Sequence, residues 1–517
     1  MSQTRRKLPV GIQTFREIRE EDCYYVDKTH YATQLVANGK HYFLSRPRRF
    51  GKSLFVDTLK ELFEGNEALF RGLAAHGNWD WSVHHPVVRL DFSGASFDQP
   101  QALEHDLADQ LGAIEDEAGI SASDGPPVVR FRRLVRELHR QTGRRVVVLV
   151  DEYDKPILDA LDTRELAVAN RAALRGLYST VKFNDAHIRF SFFTGVTKFS
   201  KVSVFSDLNN LADITLHPAY SAICGYTDRD LDTVFSPELE GLDRQAIRDW
   251  YDGYRWLGEK AVYNPFDVLL LFEQRLFRAH WFETGTPTFV IRKLLDTRIA
   301  RPSLDGLLAT DDLLSAFDVD DMAVEELLFQ TGYLTIADVH DHDGDIRYRL
   351  DYPNREVRQS FNRSLLRAMT PPESSRAATG ADVRALLQAN DFGGLEAVLR
   401  AFFASIPYNW HVANDIGDYE GYCASVFFAY FAATGLNVRT EDASSHGRLD
   451  MAVEFGSAVY LFEFKVVDDA PTGEAMAHLK ARRYADKNRT RGLPAHLIGV
   501  EFSRKDRNLA AFETERA

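Results

Sequence analysis

The sequence predicts an α/β protein with several domains. At 517 residues the chain is too long for one ordinary hydrophobic core, so roughly two to four domains are expected. In residues 1–235, short apolar β-rich runs alternate with segments of helical spacing, an order typical of a mostly parallel sheet with helices on both faces. Hydrophobic residues make up 45% of the chain and charged residues 27%, which is the balance of a folded globular protein.

Four apolar runs predict the buried strands of that sheet, and two segments between them predict helices. The strand runs are short and apolar, as expected where both faces of a sheet are covered. The helical segments repeat apolar residues at helical spacing. The strands are predicted at His41–Leu44, Val87–Phe92, Val146–Val150 and Ile188–Phe193, and the helices at Leu103–Leu111 and Phe131–Leu138.

The chain is predicted to divide into four segments. Residues 1–235 form the parallel-sheet domain, and residues 236–369 are helix-rich with short strand-like pieces, which suits a helical lid or a winged-helix-like module. The stretch 370–381, TPPESSRAATGA, has adjacent prolines and little apolar content and is the clearest linker. Residues 382–517 form a C-terminal domain, in which an α–β–β–α–β order is expected from Tyr419 to Phe502.

Charge, cysteine content and apolar runs restrict the cellular compartment of the protein and the partners that it can bind. The three cysteines lie far apart and have no metal-binding spacing, which suits core packing in a reducing cytoplasm. No apolar run approaches the ~20 residues that cross a bilayer, and the basic N-terminus lacks the apolar segment of a secretory signal. We therefore expect a cytoplasmic protein without membrane contact. The net charge of −14 argues against wholesale coating of nucleic acid but leaves a local contact open.

A phosphate-binding loop is predicted at Phe43–Leu54, FLSRPRRFGKSL. A strand ends, a loop follows, and Gly51-Lys52-Ser53 opens a helix. Amides of the loop and of the helix N-terminus would cradle phosphate oxygens, Lys52 would reach the β- and γ-phosphates, and Ser53 would hold Mg²⁺. Position 46, where the motif GxxxxGK[ST] begins with glycine, is arginine. A chance Gly-Lys-Ser at a helix start is the competing interpretation.

Two carboxylates at the end of an apolar strand support the phosphate loop. Asp151 and Glu152 follow Val146–Val150, so Asp151 is suited to hold Mg²⁺ and Glu152 to act as general base for an attacking water. An acidic pair after a strand is common in loops, and its combination with Lys52 is what favours a functional site. At the tip of the next strand, Thr194 is predicted to sense the γ-phosphate or to position water, against the alternative of a simple strand end.

A second cluster of charged residues predicts a metal-dependent phosphodiester site. Leu449–Phe455 alternates like a strand, a Gly-Ser turn follows, and the next strand has Glu463 and Lys465 on one face with Asp450 alongside. Asp450 and Glu463 would hold Mg²⁺, or Mn²⁺ in its place, which polarises the phosphate and generates hydroxide. Lys465 would orient or deprotonate the nucleophile. The same trio on an exposed hairpin would be an ordinary salt-bridged surface.

Two neighbouring segments add to this second cluster. Glu420 precedes an apolar helix and would supplement the metal ligands. The stretch Lys480–Arg491 carries six basic residues and one acidic residue. The helix predicted at Glu474–Arg489 could therefore face a nucleic-acid backbone, although a solvated helix face explains the same charges.

Residues 8–365 resemble the prokaryotic AAA-ATPase-like family. The resemblance rests on FLSRPRRFGKSL together with YYVDKT, VDEYDKPI and FTGVTKFSKVSVFSDLNNLADIT, followed by WYDGYRW, YNPFDVL, WFETGTPTF and YPNREV. Arginine at position 46 is typical of that family's SRPRRFGKS form. The resemblance implies a P-loop NTPase fold that binds ATP with Mg²⁺, followed by a helical or winged-helix region. The predicted nucleotide-binding residues are Arg48, Arg49, Phe50, Gly51, Lys52, Ser53, Leu54, Asp151 and Thr194.

Residues 415–505 resemble the PD-(D/E)XK nuclease superfamily, in particular the nuclease domain often found after AAA-ATPase-like domains. The residues that match its D…ExK positions and its helix acid are Asp450, Glu463, Lys465 and Glu420. The family often has glutamine on the following helix, where this chain has His478. The resemblance implies a restriction-endonuclease-like α/β domain in which the three matching carboxylates are the metal ligands.

Together the two sites predict a prokaryotic protein that binds and hydrolyses ATP and whose C-terminal domain cleaves DNA or RNA with a divalent metal. Such pairings recur in defence and mobile-element biology, so the resemblance implies that setting. Assembly into a homo-oligomer stays open. Two alternatives also remain. One is a nucleotide-switched signalling or scaffold protein whose nuclease-like domain binds nucleic acid without cutting it, and the other is a motor that remodels protein or DNA.

Overall fold

The computed structural model describes most of the chain and divides it into two compact units. The first unit comprises residues 1–281 and 306–354, and the second comprises residues 282–305 and 355–517. The described residues are 5–121, 125–198, 204–205, 208, 210–282, 290–291, 294, 304, 306–310, 323–342, 344–369, 380–406, 419–444, 447–482 and 493–517.

The first unit contains a five-stranded sheet. Its strands are β1 (His41–Ser45), β2 (Val87–Asp91), β3 (Val146–Asp151), β4 (Ile188–Gly195) and β5 (Ala212–Asp213). They are parallel and follow the order β2-β3-β4-β1-β5, so β4 lies between β1 and β3. Every residue of β1 and β3 is buried, as expected when both faces of a sheet are covered. The parallel α/β architecture predicted for this part of the chain is confirmed.

Helices accompany this sheet along the chain. They are α1 (Phe15–Glu20), α2 (Thr29–Asn38), α3 (Lys52–Phe63), α4 (Glu67–Phe70), α5 (Ala102–Glu117), α6 (Pro127–Thr142), α7 (Lys155–Leu158), α8 (Arg164–Phe183), α9 (Asp228–Val234), α10 (Arg244–Tyr251) and α11 (Pro265–Gln274). The two predicted helices lie within α5 and α6. Helix α6 has proline in its first turn and ends at Gly143, which adopts the left-handed conformation typical of a helix C-terminus.

A smaller antiparallel sheet also belongs to the first unit. Its strands are β6 (Leu307–Thr310), β7 (Thr335–His342) and β8 (Asp345–Asp351), in the order β6-β8-β7, and helix α12 (Val324–Gln330) precedes β7. The strand-like pieces expected in the middle region are therefore strands. The boundaries 1–235, 236–369 and 382–517, and the comparison with a lid or winged helix, stay predictions. The expected linker 370–381 lies, up to residue 379, outside the described residues.

The second unit is built on a mixed five-stranded sheet. Its strands are β9 (Asn437–Ser444), β10 (Gly447–Phe455), β11 (Ala458–Val467), β12 (Ala495–Ser503) and β13 (Asn508–Arg516). The order is β13-β12-β11-β10-β9, with β11 and β12 parallel and the other pairs antiparallel. Its described helices include α13 (Arg355–Met369), α14 (Gly380–Ala389), α15 (Phe392–Ala404), α16 (Tyr419–Ala433) and α17 (Glu474–Ala481).

The main core of the second unit lies between α16 and the sheet. The described side chains of α16 are apolar almost all the way round, and Phe427 stacks on Phe431 and packs against Phe462 and Phe464 of β11. A helix that is apolar on every side is one that must be buried. The sequence predicted this helix and the strands β10, β11 and β12. It missed the two edge strands, β9 and β13.

No helix among the described residues is both long enough and apolar enough to cross a lipid bilayer.

Candidate active sites

The phosphate loop joins the end of β1 to the start of α3. Gly51 occupies the junction with a φ of +92°, a left-handed conformation that a side chain would strain. Lys52 is the first residue of the helix, and the amide of Phe55 already donates to the carbonyl of Gly51. The first amides of a helix have no partner within it and carry its positive dipole end. The junction therefore offers an anion site at the carboxyl edge of the sheet.

Lys52 is held inside this loop by two oxygen atoms. Its Nζ lies 3.2 Å from Glu152 Oε1 and also donates to the carbonyl oxygen of Pro47 at 3.2 Å. Only 3% of the Lys52 side chain is exposed, against 19% for Glu152. Glu152 has a φ of +51°, which is uncommon for a non-glycine residue and costs of order 1 kcal/mol. The predicted lysine and the predicted general base are thus in contact.

Asp151 ends β3 and is fully buried beside the same loop. Its Oδ1 accepts from the Glu152 amide at 3.1 Å, while its Oδ2 has no hydrogen-bond partner among the described residues. Burial, with the nearby charge of Glu152, raises the pKa of Asp151 to about 6, and the nearby hydroxyl of Ser53 opposes the rise. An unsatisfied carboxylate oxygen near a hydroxyl group is the donor chemistry that Mg²⁺ prefers. Ser53 and Asp151 therefore fit a magnesium ion.

Thr194 lies at the tip of β4, the strand between the phosphate loop and Asp151. The strand register pairs Leu44 with Thr194 and Val150 with Phe193, so the three strand ends meet at one edge. The Thr194 hydroxyl is buried and has no hydrogen-bond partner among the described residues. A buried hydroxyl without a partner is costly. Its position suits the predicted contact with a phosphate group or a water.

Arginine at position 46 ties the loop to neighbouring backbone. Arg46 is fully buried, and its guanidinium donates to the carbonyl oxygens of Ser45 at 2.8 Å, Thr215 at 2.9 Å and Tyr220 at 3.3 Å. The group also lies over the Trp256 ring, 4.1 Å from its centroid, and burial lowers its pKa to about 10. An arginine at the usual glycine position is thus a structural clamp here, a role that the sequence motif did not reveal.

Four other predicted loop residues make contacts that fix the loop. Arg48 and Arg49 are exposed, and the Arg49 guanidinium lies 4.9 Å from the Phe266 ring centroid. Phe50 is buried, and its ring packs edge-on against Tyr254. The carbonyl oxygens of Arg48 and Leu54 accept from Trp281 and Thr58. Nucleotide contacts from Arg48, Arg49, Phe50 and Leu54 stay predictions.

Asp154 is a residue that the sequence analysis missed. It is fully buried, and its Oδ2 accepts from the amide and the hydroxyl of Thr197, each at 2.6 Å. It also accepts from the Val196 amide, and a side chain at Gly195 would overlap its carboxylate. Burial, with the charge of Glu152, raises its pKa to about 6. Asp154 thereby fixes the loop after β3 to the loop after β4, and its only signal was the second aspartate of VDEYD.

The second cluster lies on the antiparallel pair β10–β11. The register pairs Met451 with Phe462, which puts Asp450 and Glu463 next to each other one residue further along. The amide of Phe464 donates to Asp450 Oδ2 at 2.8 Å and holds that carboxylate against β11. Opposed residues of an antiparallel pair project from the same face. The sequence prediction that the hairpin brings Asp450 alongside Glu463 agrees with this register.

Glu463 is the buried member of this cluster. It is 1% exposed, its Oε1 contacts Nδ1 of His478 on α17, and its Oε2 has no hydrogen-bond partner among the described residues. Burial and the charge of Asp450 raise the pKa of Glu463, while His478 and Lys465 lower it. A buried carboxylate with one oxygen unsatisfied, beside a second carboxylate, has the donor chemistry for Mg²⁺ or Mn²⁺.

Lys465 and Glu420 are the other two residues predicted for this site, and the structure describes the side chain of Lys465 only. Lys465 is half-buried two residues after Glu463, which puts both side chains on the same face of β11, and it pairs in register with Glu501 of β12. The side chain of Glu420 lies outside the described residues, although its backbone belongs to α16. Among the side chains that are described, no three His, Cys, Asp or Glu residues form a metal-binding group.

Two residues that sequence analysis missed hold α17 against this site. Glu501 accepts hydrogen bonds from the Thr472 amide at 2.6 Å and from the Ala475 amide at 3.4 Å, which fixes the start of the helix. A side chain on Gly499 would meet the Met476 amide at 2.7 Å, so only glycine lets α17 approach β12 this closely. The approach is what brings His478 to Glu463.

Comparison with known families identifies two domains in the chain. Residues 9–205 match the AAA-ATPase-like family, described as "Predicted AAA-ATPase", and residues 418–512 match the PD-(D/E)XK nuclease superfamily. The chain therefore carries an AAA-ATPase-like domain and a C-terminal domain of the PD-(D/E)XK nuclease superfamily. It is also 56% identical, over 513 residues covering 99% of both chains, to a protein of Azotobacter chroococcum mcd 1 described as "Uncharacterized protein in vnfD 5'region". Both family resemblances predicted from sequence are confirmed, the first over residues 9–205 of the predicted range 8–365.

Proposed function

We propose that the protein binds and hydrolyses ATP and uses this cycle to control a metal-dependent nuclease acting on DNA or RNA. The observation that carries the proposal is shared by both sites. Each contains a buried carboxylate oxygen without a described hydrogen-bond partner, on Asp151 Oδ2 and on Glu463 Oε2. Leaving such an oxygen unsatisfied costs about 1–3 kcal/mol, more when it is charged. Cation binding offsets that cost.

In the nucleotide site, Lys52 exchanges partners when a triphosphate enters. Its Nζ leaves Glu152 and binds the β- and γ-phosphates, while the α3 amides bind the same oxygens. Ser53 and Asp151 hold the Mg²⁺, which neutralises charge on the phosphates. Glu152, released from Lys52, accepts the proton of the attacking water. Thr194 orients that water or the γ-phosphate.

In the C-terminal site, Asp450 and Glu463 hold the metal ion. The bound Mg²⁺ or Mn²⁺ supplies Lewis-acid polarisation of a phosphodiester and a water of lowered pKa. Lys465 orients the nucleophile and stabilises negative charge in the transition state. His478 fixes one oxygen of Glu463 and thereby leaves the other for the metal. Glu420 is the further ligand expected from the family pattern.

Cleavage assays with matched variants test this function. The full chain is incubated with plasmid, single-stranded DNA or RNA in Mg²⁺ or Mn²⁺, with and without ATP. Asp450→Ala and Lys465→Ala should each abolish cleavage, whereas Asp469→Ala, which removes an exposed carboxylate paired with Lys505, should leave it unchanged. Cleavage that survives Asp450→Ala would reject the nuclease assignment. Phosphate release unaffected by Glu152→Gln would reject the assigned base.

A second candidate is a nucleotide-controlled scaffold that binds nucleic acid without cutting it. The ion pair between Lys52 and Glu152 favours it, because a general base held by the phosphate-loop lysine slows turnover. Such a protein would bind ATP tightly, release almost no phosphate and retain nucleic acid in Mg²⁺ without producing fragments. Measured ATP turnover and fragment formation on the same sample separate the two candidates.

A further inference from the structure

Helix α6 carries an arginine-rich surface on an otherwise acidic chain. Between positions 130 and 145 there are seven arginines and one glutamate, whereas the whole chain has a net charge of −14. Local charge, not the total, governs contact with a charged partner, because salt screens beyond ~8 Å at physiological ionic strength. This stretch is therefore an electropositive region in its own right.

The fold directs part of this charge to one face. Helix α6 buries Phe131, Leu134 and Leu138 in the unit, so the other side faces outward. Arg133, Arg136 and Arg140 follow at spacings of three and four residues, which aligns them along one stripe of the helix. Arg144, just past the helix end, is exposed and extends the row. From the first to the last of these four arginines, the row spans about 16 Å at 1.5 Å per residue.

Internal ion pairs leave most of this charge available. Arg130 is engaged, since its guanidinium lies 2.6 Å from buried Glu115. Arg140 pairs with Glu137 at 2.7 Å, but its side chain is 71% exposed, and such surface pairs contribute little. Arg133 has no carboxylate partner among the described residues. Arg144 is exposed, and its charge makes only a small contribution to the lowered pKa of Asp80, which results mainly from the hydrogen bonds that Asp80 accepts from the hydroxyl and the amide of Ser82.

An exposed aromatic ring lies within the same surface. Phe183, the last residue of α8, is 62% exposed, which is unusual for such a large apolar side chain. The guanidinium carbons of Arg132 and Arg136 lie 4.6 Å and 5.2 Å from its ring centroid. The Arg136 Nε also donates to Asn184 Oδ1 at 3.2 Å, which fixes its position. Cations flanking a flat apolar ring resemble the stacking platforms that bind unpaired bases.

This surface lies at the opposite edge of the sheet from the nucleotide site. Arg144 and Arg145 immediately precede β3, and Arg189 is the second residue of β4, so these arginines mark the amino edge. The phosphate loop and Asp151 are at the carboxyl edge. Six residues of β3 separate the two edges by about 20 Å. ATP bound at the carboxyl edge would therefore not contact the arginines at the amino edge, so nucleotide binding does not account for them.

We propose that the α6 arginine row is a binding surface for single-stranded nucleic acid. The guanidinium groups of Arg133, Arg136 and Arg140 contact backbone phosphates, and an unpaired base stacks on Phe183. Guanidinium groups match phosphate geometry and give a salt-dependent, sequence-independent attraction. The choice of nucleic acid as the anion rests on the proposed nuclease function. It adds a contact on the first unit to the one expected in the C-terminal domain.

Binding of fluorescent 30-nucleotide single-stranded DNA and RNA, followed by anisotropy, tests this proposal. All proteins are full-length and carry Asp450→Ala, and EDTA is present, so cleavage does not intervene. The test variant combines Arg133→Ala, Arg136→Ala and Arg140→Ala, since alanine preserves the helix. The control variant removes three exposed arginines elsewhere in the unit, as Arg71→Ala, Arg229→Ala and Arg347→Ala. Melting temperatures verify that both variants fold.

We expect the test variant to weaken binding about 10- to 100-fold and to reduce the slope of log Kd against log salt by about 2, with little change in the control. Phe183→Ala should reduce the preference for single strands over duplex. Equal effects in the two triple variants, or no binding by the parent protein, would overturn the proposal. So would arginine-dependent binding to anionic vesicles that matches binding to the oligonucleotides. If the unmutated protein cleaves nucleic acid in Mg²⁺ while removal of the α6 arginines leaves binding unchanged here, this inference is wrong and the nuclease proposal stands.

Discussion

The nucleotide site and the C-terminal site both bury a carboxylate, but different structural elements supply the partners of that carboxylate. Each holds a buried carboxylate, Asp151 or Glu463, with one oxygen unsatisfied among the described residues. The partners of Asp151 come from loops that meet at the carboxyl edge of a parallel sheet. The partners of Glu463 come from strand register and from a helix packed on that sheet. The first site therefore depends on loop geometry, and the second depends on how closely α17 approaches β12.

The charge balance also differs between the two sites. Lys52 is almost fully buried and already paired with Glu152, so a ligand must displace that carboxylate. Glu463 instead contacts His478, whose Nδ1 lies against Oε1 and leaves Oε2 without a hydrogen-bond partner in the described part of the chain. Under the proposed function, nucleotide entry exchanges the ion pair of Lys52, whereas a metal ion approaching Glu463 Oε2 displaces no partner among the described residues.

Lys52→Ala should have the largest effect and acts on the first site alone. It removes the cation from beside Asp151 and Glu152 and the group that would bind the phosphates, so ATP affinity should fall about 100-fold or more. Fluorescent ATP-analogue titration measures this. Lys60→Ala on the same helix is the matched control, because Lys60 is 33% exposed and pairs with Glu64 at the surface. A similar loss in both variants would contradict the assigned role.

Glu463→Gln should break the second site and leave the first intact. The amide keeps the shape of the side chain but removes the charge that holds a metal, so Mn²⁺ affinity at this site should fall at least 10-fold and cleavage should be lost. Isothermal titration in the absence of nucleotide measures the affinity. Glu454→Gln, on the neighbouring strand and paired with Arg439, should change neither quantity. ATP binding that falls as far as Mn²⁺ binding in Glu463→Gln would contradict the assignment of Glu463 to the second site alone.

The pH dependence of nucleotide binding should reveal Asp151. Burial raises its pKa to about 6, so the protonated form predominates below that pH and cannot hold Mg²⁺. Affinity for Mg²⁺·ATP should therefore rise as pH increases through about 6, by about 10-fold from pH 5 to pH 7. Titrations at several pH values check this step, and Asp151→Asn should remove it. A step of equal size in Asp151→Asn would assign it to another group.

Gly499→Ala should produce a smaller effect, confined to the second site. Its added methyl group would meet the Met476 backbone at 2.7 Å, so α17 must shift, at a cost of about 1–3 kcal/mol, and His478 should lose its contact with Glu463. Thermal unfolding and Mn²⁺ titration measure the two consequences. Gly393→Ala is the opposite case, because its new methyl group has room within a helix and should be neutral or slightly stabilising. Unchanged metal affinity in Gly499→Ala would exclude a role for α17 packing.

The sequence predicted most of the first site because each of its residues follows a buried strand. Strand ends of a parallel sheet meet at one edge, so Lys52, Asp151 and Thr194 could be grouped without coordinates. The role of Arg46 could not be predicted, because its acceptors are backbone carbonyls up to 174 residues away along the chain. Asp154 escaped for the same reason, since its partners Val196 and Thr197 follow a different strand.

The sequence predicted fewer elements of the second unit, because its two edge strands are exposed and therefore polar. The strands β10, β11 and β12 are apolar and were found, but β9, Asn437–Ser444, is polar in sequence because it lies at a sheet edge. β13 forms the other edge and has the same character. The α6 arginine row was not predicted, because the sequence alone does not show which of its arginines share an outward helix face, and most of the predicted basic stretch at 480–491 lies outside the described residues. Charge runs need a fold before they define a face.

Counting bound Mn²⁺ per chain tests the central claim most directly. Electron paramagnetic resonance of the full-length protein should detect Mn²⁺ bound without nucleotide, lost in Asp450→Ala, and one further ion on addition of a non-hydrolysable ATP analogue, lost in Lys52→Ala. Each variant should retain the ion of the other site. Nucleotide that adds no bound Mn²⁺, or nucleotide-free binding that survives Asp450→Ala, would contradict the assignment of two separate cation sites.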